Sequence, residues 1–161
     1  MAKTTRILIP SDFTVDSLDF VQQSIEESVA EQIDIILVYG NKSSSSASEL
    51  LGIGLDDQLD MLQSESFLNA CRVLYQRYQD RHLNIFADIL CTDNKNYLRH
   101  YLRGQAVDEI RIPRNYNYKK KTRHFFNVAE ALRNVGGQIH SIVLFSDKGD
   151  PSHHKMALTN G

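Results

Sequence analysis

The sequence has no tryptophan, two cysteines and three prolines, and no apolar run approaches the ~18 residues of a membrane-crossing helix. Its N-terminus lacks the apolar core of an export signal, so a cytoplasmic protein is expected. Cys71 and Cys91 form no CxxC pair, which excludes a disulfide framework and a zinc ribbon; both read as buried core thiols. Charge of one sign is missing as well: 18 basic against 20 acidic residues give a net charge of -2, so no whole-molecule field favours nucleic acid or an anionic membrane. Reactive motifs are absent too. The histidines (His82, His100, His124, His140, His153 and His154) form no HExxH and pair with no cysteine at zinc-ligand spacing. No G-x-S-x-G elbow, P-loop lysine or G-x-G-x-x-G run occurs, and Gly52-Ile53-Gly54 lacks a preceding strand and reads as a hinge. Without a nucleophile and an assigned base, neither enzymatic activity nor a metal site is expected.

What is present is regular alternation. Ile7 to Pro10, Ile33 to Tyr39, Ile85 to Cys91, Val107 to Pro113 and Ser141 to Ser146 are short apolar runs, the pattern of strands buried on both faces. Between them lie helical spacings. Leu18, Val21, Ile25 and Val29 form the first, with Asp16 or Ser17 as cap. Leu55, Leu59, Leu62, Phe67, Cys71, Leu74 and Tyr78 form one long helix, or a short one and a long one. Thr92-Asp93 precede Tyr97, Leu98, Tyr101 and Leu102, with Gly104 as the stop, and Phe126, Ala129, Leu132 and Val135 run into Gly136-Gly137. Residues 40–48 read as a serine-rich loop. Residues 1–147 make one domain and 148–161 a polar, frayed tail. The expected fold class is α/β, an open five-stranded parallel sheet with helices on both faces.

In such a sheet ligands sit beyond the C-terminal strand ends, where strand order reverses. With the first strand central, the loops Pro10 to Thr14 and Pro113 to Asn127 would form that crevice. Arg6 to Thr14 (RILIPSDFT) resembles the first strand and turn of the universal stress proteins, in which an apolar strand ends in Pro-x-Asp before a small hydroxyl residue. The first helix, the IDIILVY strand and Asp93 to Pro113 continue the resemblance, which covers most of residues 5–146. It implies a Rossmann-like fold of the adenine nucleotide alpha hydrolase type with strand order 3-2-1-4-5. It also implies a homodimer joined through the last strand, with Ile142, Val143, Leu144 and Phe145 as contacts, which agrees with the pairing tendency of an exposed apolar edge.

ATP-binding universal stress proteins carry G-x2-G-x9-G-[ST] after the fourth strand, where bare backbone N–H groups and a hydroxyl meet the phosphates. That spacing falls here on Arg114, Asn117, Asn127 and Val128, so the glycines and the hydroxyl are gone. Asn117 is able to keep a left-handed turn, and Asn127 to cap the final helix. Pro10, Ser11 and Asp12 remain where nucleotide-binding relatives approach the ligand, although Asp12 also suits a purely local role at the strand end. The resemblance with a replaced loop implies a non-catalytic regulatory or interaction module without ATP or any other cofactor. The alternative is a protein binding ATP, another adenine nucleotide or some other anion through its basic loop. From Arg111 to His124 that loop carries Arg114, Lys119, Lys120, Lys121 and Arg123, with Tyr116 and Tyr118 interleaved and no acid.

Overall fold

The structure, a computed structural model, describes residues 3–42, 54–135 and the backbone of 141–145. Chain order is β1 (Thr4–Pro10), α1 (Leu18–Glu27), β2 (Gln32–Asn41), α2 (Leu55–Leu62), α3 (Glu65–Arg77), β3 (His82–Leu90), α4 (Lys95–Gly104), β4 (Glu109–Pro113), β5 (Phe125–Phe126), α5 (Val128–Val135) and β6 (Ser141–Phe145). The sheet runs β3-β2-β1-β4-β6 with every neighbour parallel, so β1 is central. An α/β parallel sheet was expected, and its fifth strand is β6. The departure is β5, a two-residue strand lying antiparallel to Gly40 and Asn41 at the end of β2. Phe126 thus belongs to a strand and not to the last helix, although its spacing to Ala129 and Leu132 is helical.

Alternation along each strand divides the core. Ile7, Ile9, Ile33, Ile35, Leu37 and Tyr39 face α1, α2 and α3, where they meet Val21, Ile25, Phe67 and Leu74. Leu8, Ile36, Val38, Ile110 and Ile112 face α4 and α5, where they meet Leu98, Leu102 and Leu132. Two covered faces are why these strands read as unbroken apolar runs, each buried Ile or Leu contributing roughly 1.5–3 kcal/mol. Cys71 packs half-buried at the edge of the first cluster, and burial pushes its thiol up to about 11. Cys91 lies just past β3 and is exposed, contrary to the core role expected of it. Val29 likewise stands outside α1 and is 91% exposed.

Helix ends explain the remaining boundaries. The long amphipathic stretch breaks at Ser64, whose hydroxyl accepts the Phe67 N–H at 3.1 Å and starts α3. Asn94, and not Thr92 or Asp93, caps α4 by accepting the N–H groups of Asn96 and Tyr97; Asp93 pairs with Lys42 at 2.9 Å. The Arg81 guanidinium donates to the Ile25, Ser28 and Ala30 carbonyls, satisfying the end of α1. Gly104 is still helical, so the stop falls later. Val107 N–H donates to the Leu102 carbonyl and Ala106 N–H to that of Arg103, with Ala106 at φ 52.

The outer edge of β3 is closed by its own surroundings. Ile85 N–H donates to the Tyr75 hydroxyl at 2.7 Å, Ile89 N–H to Asp88 Oδ1 at 2.8 Å, and Leu83 N–H to the Arg81 carbonyl at 3.0 Å. Those residues are two or four apart, so their N–H groups share one side of the strand, and little of that row is left for an incoming chain. Gly40 and Asn41 belong to β2, while the rest of the serine-rich loop beyond Lys42, most of the Gly52-Ile53-Gly54 hinge, Gly136-Gly137 and the 148–161 tail lie outside the described residues. No helix among the described residues is long and apolar enough to cross a membrane.

Ala106 bears a side chain in the left-handed region, where only glycine is unstrained. Ala106→Gly is therefore expected to stabilise the protein by about 1 kcal/mol. A rise in the urea midpoint at constant slope checks this; a fall would show that the αL turn is not strained.

Candidate functional site

Beyond the C-terminal ends of β1 and β4, where strand order reverses, two loops meet. The first begins at Pro10. Ser11 N–H donates to the Val38 carbonyl at 2.9 Å, and the Ser11 hydroxyl accepts the Phe13 N–H at 3.0 Å. This turn places Phe13 at φ 54 with its ring fully buried, 6.0 Å from the Tyr39 ring and 5.7 Å from that of Phe67. A bulky side chain at positive φ is strained, and the surrounding contacts must hold it there. Ser17 stands at the N-cap of α1, but its hydroxyl turns back to the Thr14 carbonyl at 2.6 Å instead of capping the helix.

The second loop follows β4 and crosses the sheet. It leaves Pro113, turns at Arg114 and Asn115, passes over the end of β1, and reaches β2 as β5. Asp12 is its anchor. The carboxylate has no exposed surface and accepts the Thr14 hydroxyl at 2.6 Å, the Thr14 N–H at 3.3 Å, the Tyr116 hydroxyl at 2.8 Å and the Lys119 N–H at 2.9 Å. Bonds of this kind to an ionised acceptor are about twice as strong as neutral ones. The Tyr116 ring packs edge-on against Phe20 at 5.3 Å and against Tyr118 at 4.9 Å. Burial, with the Asp12 charge nearby, holds both phenols well above the usual tyrosine range. The Tyr118 hydroxyl is buried without a partner among the described residues.

Lys121 carries the loop across. Its ammonium donates to the Phe13 carbonyl at 2.9 Å and to the Leu62 carbonyl at 2.8 Å, the latter at the C-terminal end of α2. Partial burial lowers its pKa, opposed by the attraction of Asp12. The Tyr39 hydroxyl then accepts the N–H groups of Lys121 and Thr122, at 3.1 and 3.0 Å, and the Thr122 hydroxyl donates to Asn41 Oδ1 at 3.0 Å. At the far end a Cβ on Gly40 would stand 2.5 Å from the Phe126 carbonyl oxygen and 2.8 Å from Val128, so only glycine admits β5. Among the described residues, the loop is bonded across the end of β1 through Tyr116 and Lys121.

The other residues singled out in the sequence are dispersed. Arg114 is half-buried in the turn after β4, and Asn117 is exposed. The left-handed residue is Asn115, at φ 58, and not Asn117. Asn127 Oδ1 accepts the Glu130 N–H at 3.2 Å at the start of α5, and Val128 is buried behind it. None of the hydrogen bonds to Asp12 comes from Arg114, Asn117 or Asn127. Arg111 does not belong to the basic loop. It lies in β4, 8% exposed, and donates to Glu27 and Glu109 on the α1 face. Lys119, Lys120 and Arg123 have exposed side chains and take part in no ion pair among the described residues. The side chains of Ile142, Val143, Leu144 and Phe145 lie outside the described residues. Among the described residues no group of three or more His, Cys, Asp or Glu is placed to hold a metal ion.

Sequence reasoning missed Tyr39, Thr122 and the closing role of Gly40. A signal existed only for the last, a glycine at the end of an otherwise apolar strand, which marks a close backbone approach. No family model and no curated protein matches the chain. Solved structures do. The universal stress protein UspA from Lactobacillus plantarum aligns over 89% of this chain and 99% of its own, with 12% identity and a TM-score of 0.55. The hypothetical protein MJ0577, described as a structure-based assignment of biochemical function, aligns over 91% and 98%, with 15% identity and a TM-score of 0.52. The chain therefore has a universal-stress-protein-like fold.

Asp12→Ala removes the acceptor shared by Thr14, Tyr116 and Lys119 and leaves buried donors unmet, an expected loss of about 2–4 kcal/mol. With no tryptophan in the chain, its fluorescence comes from seven tyrosines, two of them in the loop, and the difference between variant and parent reads the loop. Acrylamide quenching of the variant should rise as Tyr116 and Tyr118 become accessible. Parent-like quenching and stability would show that Asp12 does not anchor the loop.

Proposed function

We propose that this universal-stress-protein-like chain is a non-catalytic regulatory or interaction module of the cytoplasm that works without ATP. The loop bonded across the end of β1 carries this reading. A nucleotide seated beyond β1 and β4 has to displace Tyr116, Tyr118 and Lys121, and with them the bonds to Asp12, Phe13, Leu62 and Tyr39. Backbone N–H groups that would face a phosphate are engaged: that of Lys119 with Asp12, that of Lys121 with Tyr39, and that of Glu130 with Asn127. Glycine is missing from all three positions at which the resemblance puts it, so a side chain stands wherever the backbone would have to approach phosphate closely.

The homodimer belongs to the same proposal. The outer edge of β3 is closed by Tyr75, Asp88 and Arg81, whereas β6 at the opposite side pairs with β4 alone among the described strands. This asymmetry favours β6 as the strand through which two copies join.

Two measurements test the reading. Protein purified without added nucleotide is expected to release no adenine nucleotide on denaturation and to give no heat with Mg-ATP; copurified nucleotide, or micromolar binding, would sink it. Sedimentation equilibrium should report a dimer that Val143→Asp converts to a folded monomer. A parent that is monomeric, or a variant that stays dimeric, would rule out the β6 interface.

A further inference from the structure

We infer that the outer face of the loop 114–124 is a docking surface for an acidic segment of a partner protein, an inference that rests on the chain's being an interaction module. The loop has two sides with different duties. From Asn115 to Lys119 exposure alternates, with Asn115, Asn117 and Lys119 outward and Tyr116 and Tyr118 inward. The inner side is spent on Asp12, Tyr39, Phe13 and Leu62. The outer side presents Lys119, Lys120, Arg123 and His124, all exposed, and the stretch from Arg111 to His124 contains no acid. Lys119 binds Asp12 through its backbone N–H, and its ammonium holds no partner among the described residues. These cations sit on a backbone held at several points, so little ordering remains to oppose association.

The same geometry separates acidic protein from other polyanions. A single-stranded nucleic acid is gripped by aromatic faces on which bases stack. Here both tyrosines of the loop are turned inward, one onto Asp12 and the other with a buried hydroxyl. An anionic membrane is favoured by apolar side chains that enter its interface. No large exposed apolar residue falls within the loop; Val15, 48% exposed beside Thr14, and Met61, 79% exposed beside Leu62, adjoin residues that the loop bonds. A rim of point charges flanked by isolated apolar side chains suits carboxylates around a small apolar side chain, and attraction of this type sets on-rate and partner choice.

The test uses the full chain and a fluorescein-labelled peptide of alternating Asp and Glu around one leucine, titrated at low salt. The parent should bind it, more weakly as salt rises. The variant Lys119→Glu/Lys120→Glu/Arg123→Glu, whose altered side chains take part in no hydrogen bond or ion pair among the described residues, should keep the parent's circular dichroism and bind at least ~10-fold more weakly. If that variant does not fold, Lys120→Glu alone should weaken binding by about 3-fold. Three results overturn the inference: no binding of the peptide by the parent, equal affinity in the folded variant, or tighter binding of oligo-dT or phosphatidylserine vesicles than of the peptide. Heat on adding Mg-ATP, measured separately, would strike the module reading itself and leave the charge-reversal result to stand on its own.

Discussion

One buried carboxylate organises the end of this molecule at which β1 and β4 finish. Asp12 lies at the tip of the central strand, and a charge there is tolerated only when donors surround it. Half of those donors come from Thr14 in its own turn, the other half from Tyr116 and Lys119 across the sheet. Bringing in the second half obliges the chain after β4 to run over β1. From there the Lys121 ammonium, the Tyr39 hydroxyl and the β5 pairing follow as further fastenings of the same crossing. The strained turn at Phe13 fits this arrangement, since its carbonyl is one of the two that Lys121 holds.

Most of the fold was legible because a doubly covered parallel sheet writes itself plainly. IDIILVY can hardly be anything but a buried strand, and its flanking helical spacings supply the crossovers. The errors lay where a local pattern had two readings. Phe126 keeps helical register with Ala129 and Leu132, yet pairs with Gly40 because the crossing loop delivers it there. Gly104 looked like the helix stop, while the left-handed residue is Ala106. Cys91 closes an apolar run one residue beyond the point at which burial ends.

The meeting of the loops after β1 and β4 was legible from topology, but not the contacts they make. That the loop would turn both tyrosines inward could not be read locally, because an aromatic residue among lysines looks alike whether it faces a ligand or a carboxylate. The distinction depends on Asp12, far away in sequence. Arg111 shows the converse: counted by sequence it joins the basic run, but it lies within β4 and its side chain is paired with Glu27 of α1.

The long reach of the Asp12 bonds also orders events in time. Asp12 and Tyr116 are 104 positions apart, and Asp12 and Lys119 are 107 apart. Contacts so distant carry a closure cost like that of the β1–β4 pairing, which joins Ile7 to Glu109, so the crossing loop is expected to close with that pairing or after it. The loop is expected to open as a unit that gives up the two-residue β5 pairing and leaves the five parallel strands in place. The amides of Lys119, Lys121 and Thr122, each held by a side chain and not by a ladder, then share a single clock of hydrogen exchange that runs faster than that of β1 and β2 beneath them.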